Sequence, residues 1–289
     1  MRMITIILPV YNDWINLIEV LKKIEKIKRK TKVKINILVV NDSSTNKFQY
    51  KKFNFKKTIY LNLKKNIGSQ KAIATGLNFA IKKKMGDGFI IMDSDGEDNP
   101  LEIKKIIKLV KSKEVQTITM DRKFRHESFL FSILYELHLI LTLLLTFHYI
   151  RFGNFTYLSI SSVKKIISKK ELWIAYSSTI SKFLKNKKKI KAERKSRISG
   201  KSKMKYWQLF FHSLRILAVF KNKVLITSLF YLILAFNFLN LNFTNLYFLL
   251  LFIFLTSVNI AILGINYYFE NSKLKLFNCL KNIKSVKVI

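Results

Sequence analysis

The sequence predicts an α/β chain with a mostly parallel central sheet, followed by interfacial helices and a two-helix transmembrane hairpin. Three observations carry this expectation. Short apolar runs alternate with helix-periodic runs through the first half, the pattern of a sheet with helices on both faces. Carboxylates gather where two of those apolar runs stop, around Asp42 and around Asp93 and Asp95; in open α/β sheets ligands bind beyond the carboxyl ends of the strands. Two runs without a charged residue, Val224 to Phe243 and Leu246 to Phe269, then follow in tandem.

Thr5 to Pro9 is a short apolar run stopped by a proline, read as the first strand. From Trp14 to Ile27, residues Leu17, Ile18, Leu21, Ile24 and Ile27 recur at helical spacing on one face. INILVVNDSS is a second strand ending in Asn41 and Asp42, and TIYLNL a weaker third. SQKAIATGLNFAIKKK has helical periodicity, and a Gly-Asp-Gly turn at Gly86 to Gly88 leads into the strand FIIMD. Pro100 to Lys111 is again helical, and QTITM is a further strand. The α/β domain is drawn over residues 1–204. Within it, Ser128 to Ile150 is long and apolar but carries Glu136, His138 and His148. Burying Glu136 in a bilayer would cost about 2.5–3.5 kcal/mol, so this stretch reads as one or two helices packed on the domain or lying at a membrane surface.

Residues 205–223 mix apolar side chains with Tyr206, Trp207, His212 and Arg215, which suits an interfacial amphipathic helix, with an ordinary core helix as the alternative. Each charge-free run within 224–269 is long enough to cross a ~30 Å hydrocarbon core, and the short polar connector NLNFTN makes them a hairpin. Lys221 and Lys223 precede it; Lys273, Lys275, Lys281, Lys284 and Lys287 follow it. By the positive-inside rule both termini and the α/β domain are cytoplasmic. Residues 270–289 read as a basic cytoplasmic tail.

Composition narrows the function classes. There are 53 Lys+Arg against 17 Asp+Glu in 289 residues, a formal net charge of +36, beside 49% hydrophobic residues and a mean hydropathy of +0.13. Such charge fits nucleic-acid binding, attraction to anionic lipid, or a coding bias toward Lys, Ile and Asn. Lysines spread over the whole chain favour the last two, and without a base-reading motif no nucleic-acid partner is expected. A single cysteine, Cys279, excludes an intramolecular disulfide framework and a multi-cysteine zinc site. The N-terminus lacks the pattern of a signal peptide. His126, His138, His148 and His212 have no metal-ligand spacing, and no nucleophile elbow, Walker lysine loop or Rossmann glycine fingerprint occurs.

The chemistry concentrates in FIIMDSDGEDNP, Phe89 to Pro100, where a strand runs into Asp93, Asp95, Glu97 and Asp98. Four carboxylates this close repel one another unless a cation sits among them. Asp93 and Asp95, one residue apart, can reach the same hard ion, and Mg²⁺ or Mn²⁺ would share such oxygens with substrate phosphates. Many D-x-D triplets are solvated turns; the position after a strand, with Asp42 at another strand end, separates this one from them.

ITIILPVYND, ILVVNDSST, NIGSQKAIATGL and IIMDSDGEDNP, in this order, resemble successive signatures of glycosyltransferase family 2, which has the GT-A fold. FGNFTYLSISSVKKI and SGKSKMKYWQLFFHSL resemble its membrane branch near dolichol-phosphate mannose synthase and bacterial polyprenyl-phosphate glycosyltransferases. The likeness spans residues 3 to 220 or so. It implies that Pro9, Tyr11 and Asn12 form a loop touching the nucleotide base, and that Asp42 meets base or ribose, a turn or cap aspartate being the alternative. Gln70 and Lys71 would approach the nucleotide or merely pack the start of their helix. Asp93 and Asp95 would hold Mg²⁺ or Mn²⁺ and, through it, the diphosphate. Asp95, Glu97 and Asp98 form the implied catalytic set, although Glu97 and Asp98 also suit capping of the helix near Pro100. Arg122, Lys123 and Arg125 would clamp an acceptor phosphate, with Asn154 beside them, and Arg197, Lys201 and Lys203 would belong to a loop closing over the diphosphate.

The resemblance thus implies a membrane-anchored inverting enzyme of cell-envelope glycan biosynthesis. It would move a sugar from a nucleotide-diphosphate sugar to a lipid-linked acceptor, foremost polyprenyl phosphate. Transfer to a hydroxyl of a lipid-linked glycan or polysaccharide is the alternative, and a catalytically silent membrane scaffold the non-enzyme one. Two departures stand out. The usual D-D-G-S is Asn41-Asp42-Ser43-Ser44, and relatives' G-D-F is Gly153-Asn154-Phe155. An amide cannot act as a general base. A lipid phosphate needs none, whereas a hydroxyl acceptor would turn to Glu97 or Asp98.

Overall fold

The computed structural model describes residues 3–31, 33–46, 48, 50–112, 115–122, 129–200, 206–238, 245–272 and 276–289. They form two compact units. One contains Met1–Ser128, Arg151–Lys203 and Leu274–Ile289; the other contains Phe129–Ile150 and Met204–Lys273. Chain order is β1 (Met3–Val10), α1 (Trp14–Thr31), β2 (Lys34–Asn41), β3 (Lys57–Leu63), α2 (Ser69–Lys82), β4 (Gly88–Ile91), α3 (Ile103–Ser112) and β5 (Thr117–Arg122). Next come α4 (Phe129–Thr146), β6 (Phe152–Ser159), α5 (Ile160–Ile166), α6 (Tyr176–Phe183) and β7 (Lys188–Ala192). The chain closes with α7 (Tyr206–Ala218), α8 (Lys221–Phe238), α9 (Leu246–Asn271) and β8 (Ile283–Val288).

The first unit is built on one sheet in the order β7-β5-β6-β4-β1-β2-β3-β8. β1 pairs parallel with β2 and β4, β2 with β3, and β5 with β7. β6 runs antiparallel between β4 and β5, and β8 lies antiparallel on β3. The expected α/β class holds, as a mixed sheet whose centre is parallel. Strands covered on both faces read as unbroken apolar runs. Ile6, Leu8, Ile37, Val39 and Ile90 form one core with Leu17, Leu21 and Ile24 of α1 and Ile103 and Ile106 of α3. Ile18, expected on the buried face of α1, is half-exposed, and Val20 is buried in its place. The helix expected from Pro100 opens as a 3₁₀ turn, Pro100–Glu102, before α3.

The C-terminal residues differ from the tail read in the sequence. Leu276–Asn282 forms a 3₁₀ helix, and β8 completes the sheet by pairing Ile59 with Val288 and Asn62 with Ser285. The Asn62 amide donates to Ser285 Oγ at 3.0 Å, and Thr58 and Ile289 exchange backbone bonds. Both outer strands, KKIKA in β7 and IKSVKV in β8, carry exposed lysines, which discourage edge-to-edge pairing with another chain.

The second unit is helical. α4 is a single helix and belongs to this unit rather than to the sheet, turning Ile133, Leu137, Ile140 and Leu144 outward. α7 and α8 meet at a 90° bend. The carbonyl of Ala218, at the end of α7, accepts a bond from Asn266 Nδ2 of α9 (3.0 Å). α8 and α9 form an antiparallel hairpin: Lys221 pairs with Glu270 at one end (3.6 Å), and the rings of Phe236 and Phe248 meet at the other. Among the described residues, α9 is the one helix long and apolar enough by itself to cross a membrane; α7 and α8 pass that test only when taken together.

Candidate active site

The acidic loop begins where β4 stops. Ser94 Oγ donates to the Pro9 carbonyl at 2.7 Å, tying the loop to the carboxyl end of β1. Asp95 Oδ1 accepts the Glu97 amide (3.0 Å) and Asp98 Oδ2 accepts the Asp93 amide (3.1 Å), so the loop folds on its own carboxylates. The side chain of Asn99 takes the Leu101 amide (3.2 Å). Asn99 therefore caps the 3₁₀ turn, a role the sequence offered to Glu97 or Asp98.

A second segment lies over this loop. Lys195 N donates to the Glu97 carbonyl (2.9 Å), and Asp98 and Arg194 form an antiparallel bridge. Arg194 pairs with Glu97 and Arg197 with Asp13. Asn16 Nδ2 holds the Ser199 carbonyl (3.0 Å). Gly96 has a φ of +83°, and a Cβ there would run into the Ile198 side chain, so the strap's close approach requires glycine. Arg194, Ile198 and Asp13 were not singled out from sequence; Arg197 was. Arg125, Lys201 and Lys203 lie outside the described residues.

Arg122 ends β5, and its guanidinium lies against Gly153 of β6, where a Cβ would collide with it. From there its charge acts on Asp98. Asn154, also on β6, donates through Nδ2 to Asp93 Oδ1 (2.8 Å) and accepts at Oδ1 from Gln70 Nε2 (3.2 Å). Gln70 belongs to the first turn of α2, where Lys71 sits 5.4 Å over the ring of Trp173. The structure thus brings Gln70, Asp93, Asp95, Glu97, Asp98 and Asn154 into one neighbourhood, on which the charge of Arg122 acts.

The first loop stands beside it. Tyr11 is 42% exposed. Asn12, at φ +50°, accepts the amides of Thr45 (2.8 Å) and Asn46 (3.1 Å), clasping the loop after β2. Asp42 is buried and gives its two oxygens to the amides of Ile67 and Gly68, both at 2.8 Å. Its carboxylate anchors the loop before α2, each oxygen taking one amide and keeping a second lone pair. The two bonds are those of the turn-aspartate alternative.

Electrostatics single out Asp95. Burial pushes its carboxyl up to about 8, and the charges of Asp93, Glu97 and Asp98 add to the effect. Asp98 is pushed up to about 6 by burial and by Asp93, against the pull of Arg122 and Arg194. Burial also raises Asp42, opposed by its two amides and by Lys71. A hard divalent cation relieves such crowding, and the donor set fits one: two carboxylates a residue apart, the second keeping an oxygen without a hydrogen bond from the described residues. Among the described residues no set of three His, Cys, Asp or Glu side chains is arranged to cage an ion. A cation here would need ligand oxygens to complete its shell.

Comparison with known proteins adds to this geometry. The model of the family described as Glycosyl transferase family 2 matches residues 5–172. A protein of Methanocaldococcus jannaschii, described as uncharacterized protein MJ0544, is 28% identical over 125 residues, 42% of this chain and 52% of that protein. The chain therefore spans about half the length of the curated relative it matches. Among solved structures, glucosyl-3-phosphoglycerate synthase of Mycobacterium tuberculosis, in complex with Mn²⁺, UDP and glucosyl-3-phosphoglycerate, superposes with a TM-score of 0.53 at 14% identity. The alignment covers 77% of this chain and 80% of that one, a likeness of fold.

Proposed function

The chain belongs to glycosyl transferase family 2, and on that premise we propose that it is a membrane-anchored inverting glycosyltransferase carrying a sugar from a nucleotide-diphosphate donor to a lipid-linked acceptor, foremost a polyprenyl phosphate. The observation that carries this reading is the crowded, largely buried carboxylate cluster past β4, where burial and then the charges of Asp93, Glu97 and Asp98 drive Asp95 toward protonation. Asp93 and Asp95 would hold Mg²⁺ or Mn²⁺, which would supply charge neutralisation for the diphosphate. The solved neighbour's complex with Mn²⁺ and UDP makes UDP the first nucleotide to try.

The chain's own residues do the rest. Pro9, Tyr11 and Asn12 border the base, and Asp42 fixes the loop before α2 beside it. Lys71 faces the donor from the start of α2, with Gln70 beside it bonded to Asn154. Arg194 and Arg197 hold the strap over the acidic loop, and Lys201 and Lys203 are assigned to the diphosphate. Arg122 and Arg125 receive the acceptor phosphate, whose oxygen attacks the anomeric carbon opposite the leaving group. A phosphate oxyanion needs no base. Transfer to a glycan hydroxyl is the second reading, favoured by Asp98, whose carboxyl at about 6 suits proton acceptance near neutrality.

The helical unit supports the membrane part of the proposal. α7 exposes Trp207, Phe210 and Phe211, and α8 leaves it at 90°, the arrangement of an in-plane helix feeding a spanning one. At 1.5 Å per residue, α8 and α9 are about 27 and 39 Å long, against a ~30 Å hydrocarbon core. Opposite the buried face of Phe248, Leu255, Val258 and Ile262, α9 exposes a broad apolar face that includes Leu250, Ile253, Ile260 and Leu263. Lysines at both ends of the hairpin orient its termini to the cytoplasm. The decisive experiment incubates membranes containing the protein with labelled nucleotide sugars, with and without polyprenyl phosphate. Chelator-sensitive, lipid-extractable label supports the reading; label found only in water-soluble product, whatever the acceptor, contradicts it.

A further inference from the structure

The side-chain amide of Asn154 is held between two groups that dictate which way it points. The backbone N–H of Tyr176, first residue of α6, can only donate, and it donates to Gln70 Oε1 at 2.7 Å. Gln70 is left with its Nε2 to donate to Asn154 Oδ1, and Asn154 with its Nδ2 to donate to Asp93 Oδ1. The α6 N-cap, Ala175, has no capping side chain of its own, so Gln70 supplies the missing acceptor. A second tie runs alongside: the Thr156 hydroxyl bonds the Tyr176 hydroxyl (2.5 Å) and donates to the Asn154 carbonyl (3.3 Å). Direction is thereby imposed from the helix end to the carboxylate, through residues 70, 154 and 93.

We propose that Gln70 and Asn154 are positioning residues, a one-way chain of hydrogen bonds that starts at α6 and sets the Asp93 carboxylate for the divalent cation of the donor complex. The inference rests on the reading that Asp93 binds that cation. Groups behind a metal ligand fix its orientation, and their loss commonly weakens metal binding about 10–100-fold. It also reassigns Asn154: with Oδ1 bonded to Gln70 and Nδ2 to Asp93, this residue serves the donor side rather than the acceptor, and as an amide it takes no proton. The acceptor oxygen must then arrive ionised or lose its proton to another group.

The test measures Mn²⁺ affinity in the presence of UDP by Mn²⁺ electron paramagnetic resonance on the full chain in detergent. Gln70→Glu is the discriminating variant. Its carboxylate still accepts the Tyr176 amide but offers no N–H to Asn154, whose Nδ2 must turn to residue 70 and present Oδ1 to Asp93. We expect a melting temperature close to wild type and Mn²⁺ binding about 10–100-fold weaker. Asn154→Ala, which leaves the α6 cap intact, loses as much, and Gln70→Glu with Asn154→Ala together lose no more than Asn154→Ala, because the chain is already cut. Wild-type affinity in both single variants, or strictly additive losses in the double variant, overturns the inference alone. A wild-type protein that binds no Mn²⁺ with UDP overturns the cation reading and this inference with it.

Discussion

Asp95→Asn should stabilise the ligand-free protein while abolishing metal-dependent transfer. The substitution keeps an oxygen for the Glu97 amide and removes a charge that burial and three neighbouring carboxylates oppose. Moving a carboxyl from its ordinary 3.8 to about 8 withholds on the order of 5 kcal/mol from the folded state once the group is ionised. Neighbouring carboxylates readjust, and even a third of that figure, about 2 kcal/mol, raises the melting temperature by about 4–8 °C. The sign follows from linkage. A folded value raised above the unfolded one means the fold is favoured most below pH 4 and loses this contribution as pH rises through about 8. The gap between variant and wild type should therefore be small near pH 4 and widest above pH 8. Tryptophan fluorescence melts in detergent, without divalent metal, read it directly. Mn²⁺ with UDP should then stabilise wild type and leave the variant unmoved. Equal melting temperatures at pH 8, or full metal-dependent transfer by the variant, would refute the reasoning.

Three further outcomes are expected. Gly153→Ala displaces the Arg122 guanidinium, and Arg122→Ala removes it; each should raise the acceptor KM about tenfold or more, the worth of a charge-assisted bond, with the donor KM unchanged in steady-state assays. Ending the chain before Ile283 uncovers β3 and should give a protein that aggregates on purification, as judged by size exclusion; a monodisperse, full-stability product would mean β8 does not guard that edge. Asn266→Leu leaves the Ala218 carbonyl without its side-chain donor at the α7–α8 bend and should cost about 0.6–1.7 kcal/mol, seen as a lower melting temperature with transfer retained in folded protein.

What the sequence made legible was local. β1 and β2 announce themselves because both faces are covered, and the acidic loop because a strand runs straight into carboxylates. What it concealed depends on partners far along the chain. Arg194 meets Glu97 from 97 residues away and Arg197 meets Asp13 from 184, and among so many lysines Arg194 did not stand out. One signal was available: the chain has only eight arginines, and four fall in two R-x-x-R pairs, 122/125 and 194/197. Where coding favours Lys, retained arginines point to bidentate or tightly fixed contacts. β8 was hidden by its charge, since lysines that protect an outer strand look like a solvated tail. The commitment of Asp42 to two loop amides is likewise a matter of geometry that residue type cannot reveal.

The central claim is that the carboxylates past β4 grip a cation that grips a diphosphate. A crystal grown with manganese and UDP, measured at a wavelength where manganese scatters anomalously, interrogates it most directly. The account predicts one anomalous peak touching the Asp93 and Asp95 carboxylates and the diphosphate oxygens together. Nucleotide bound with no such peak, or with both side chains turned from it, would contradict the account.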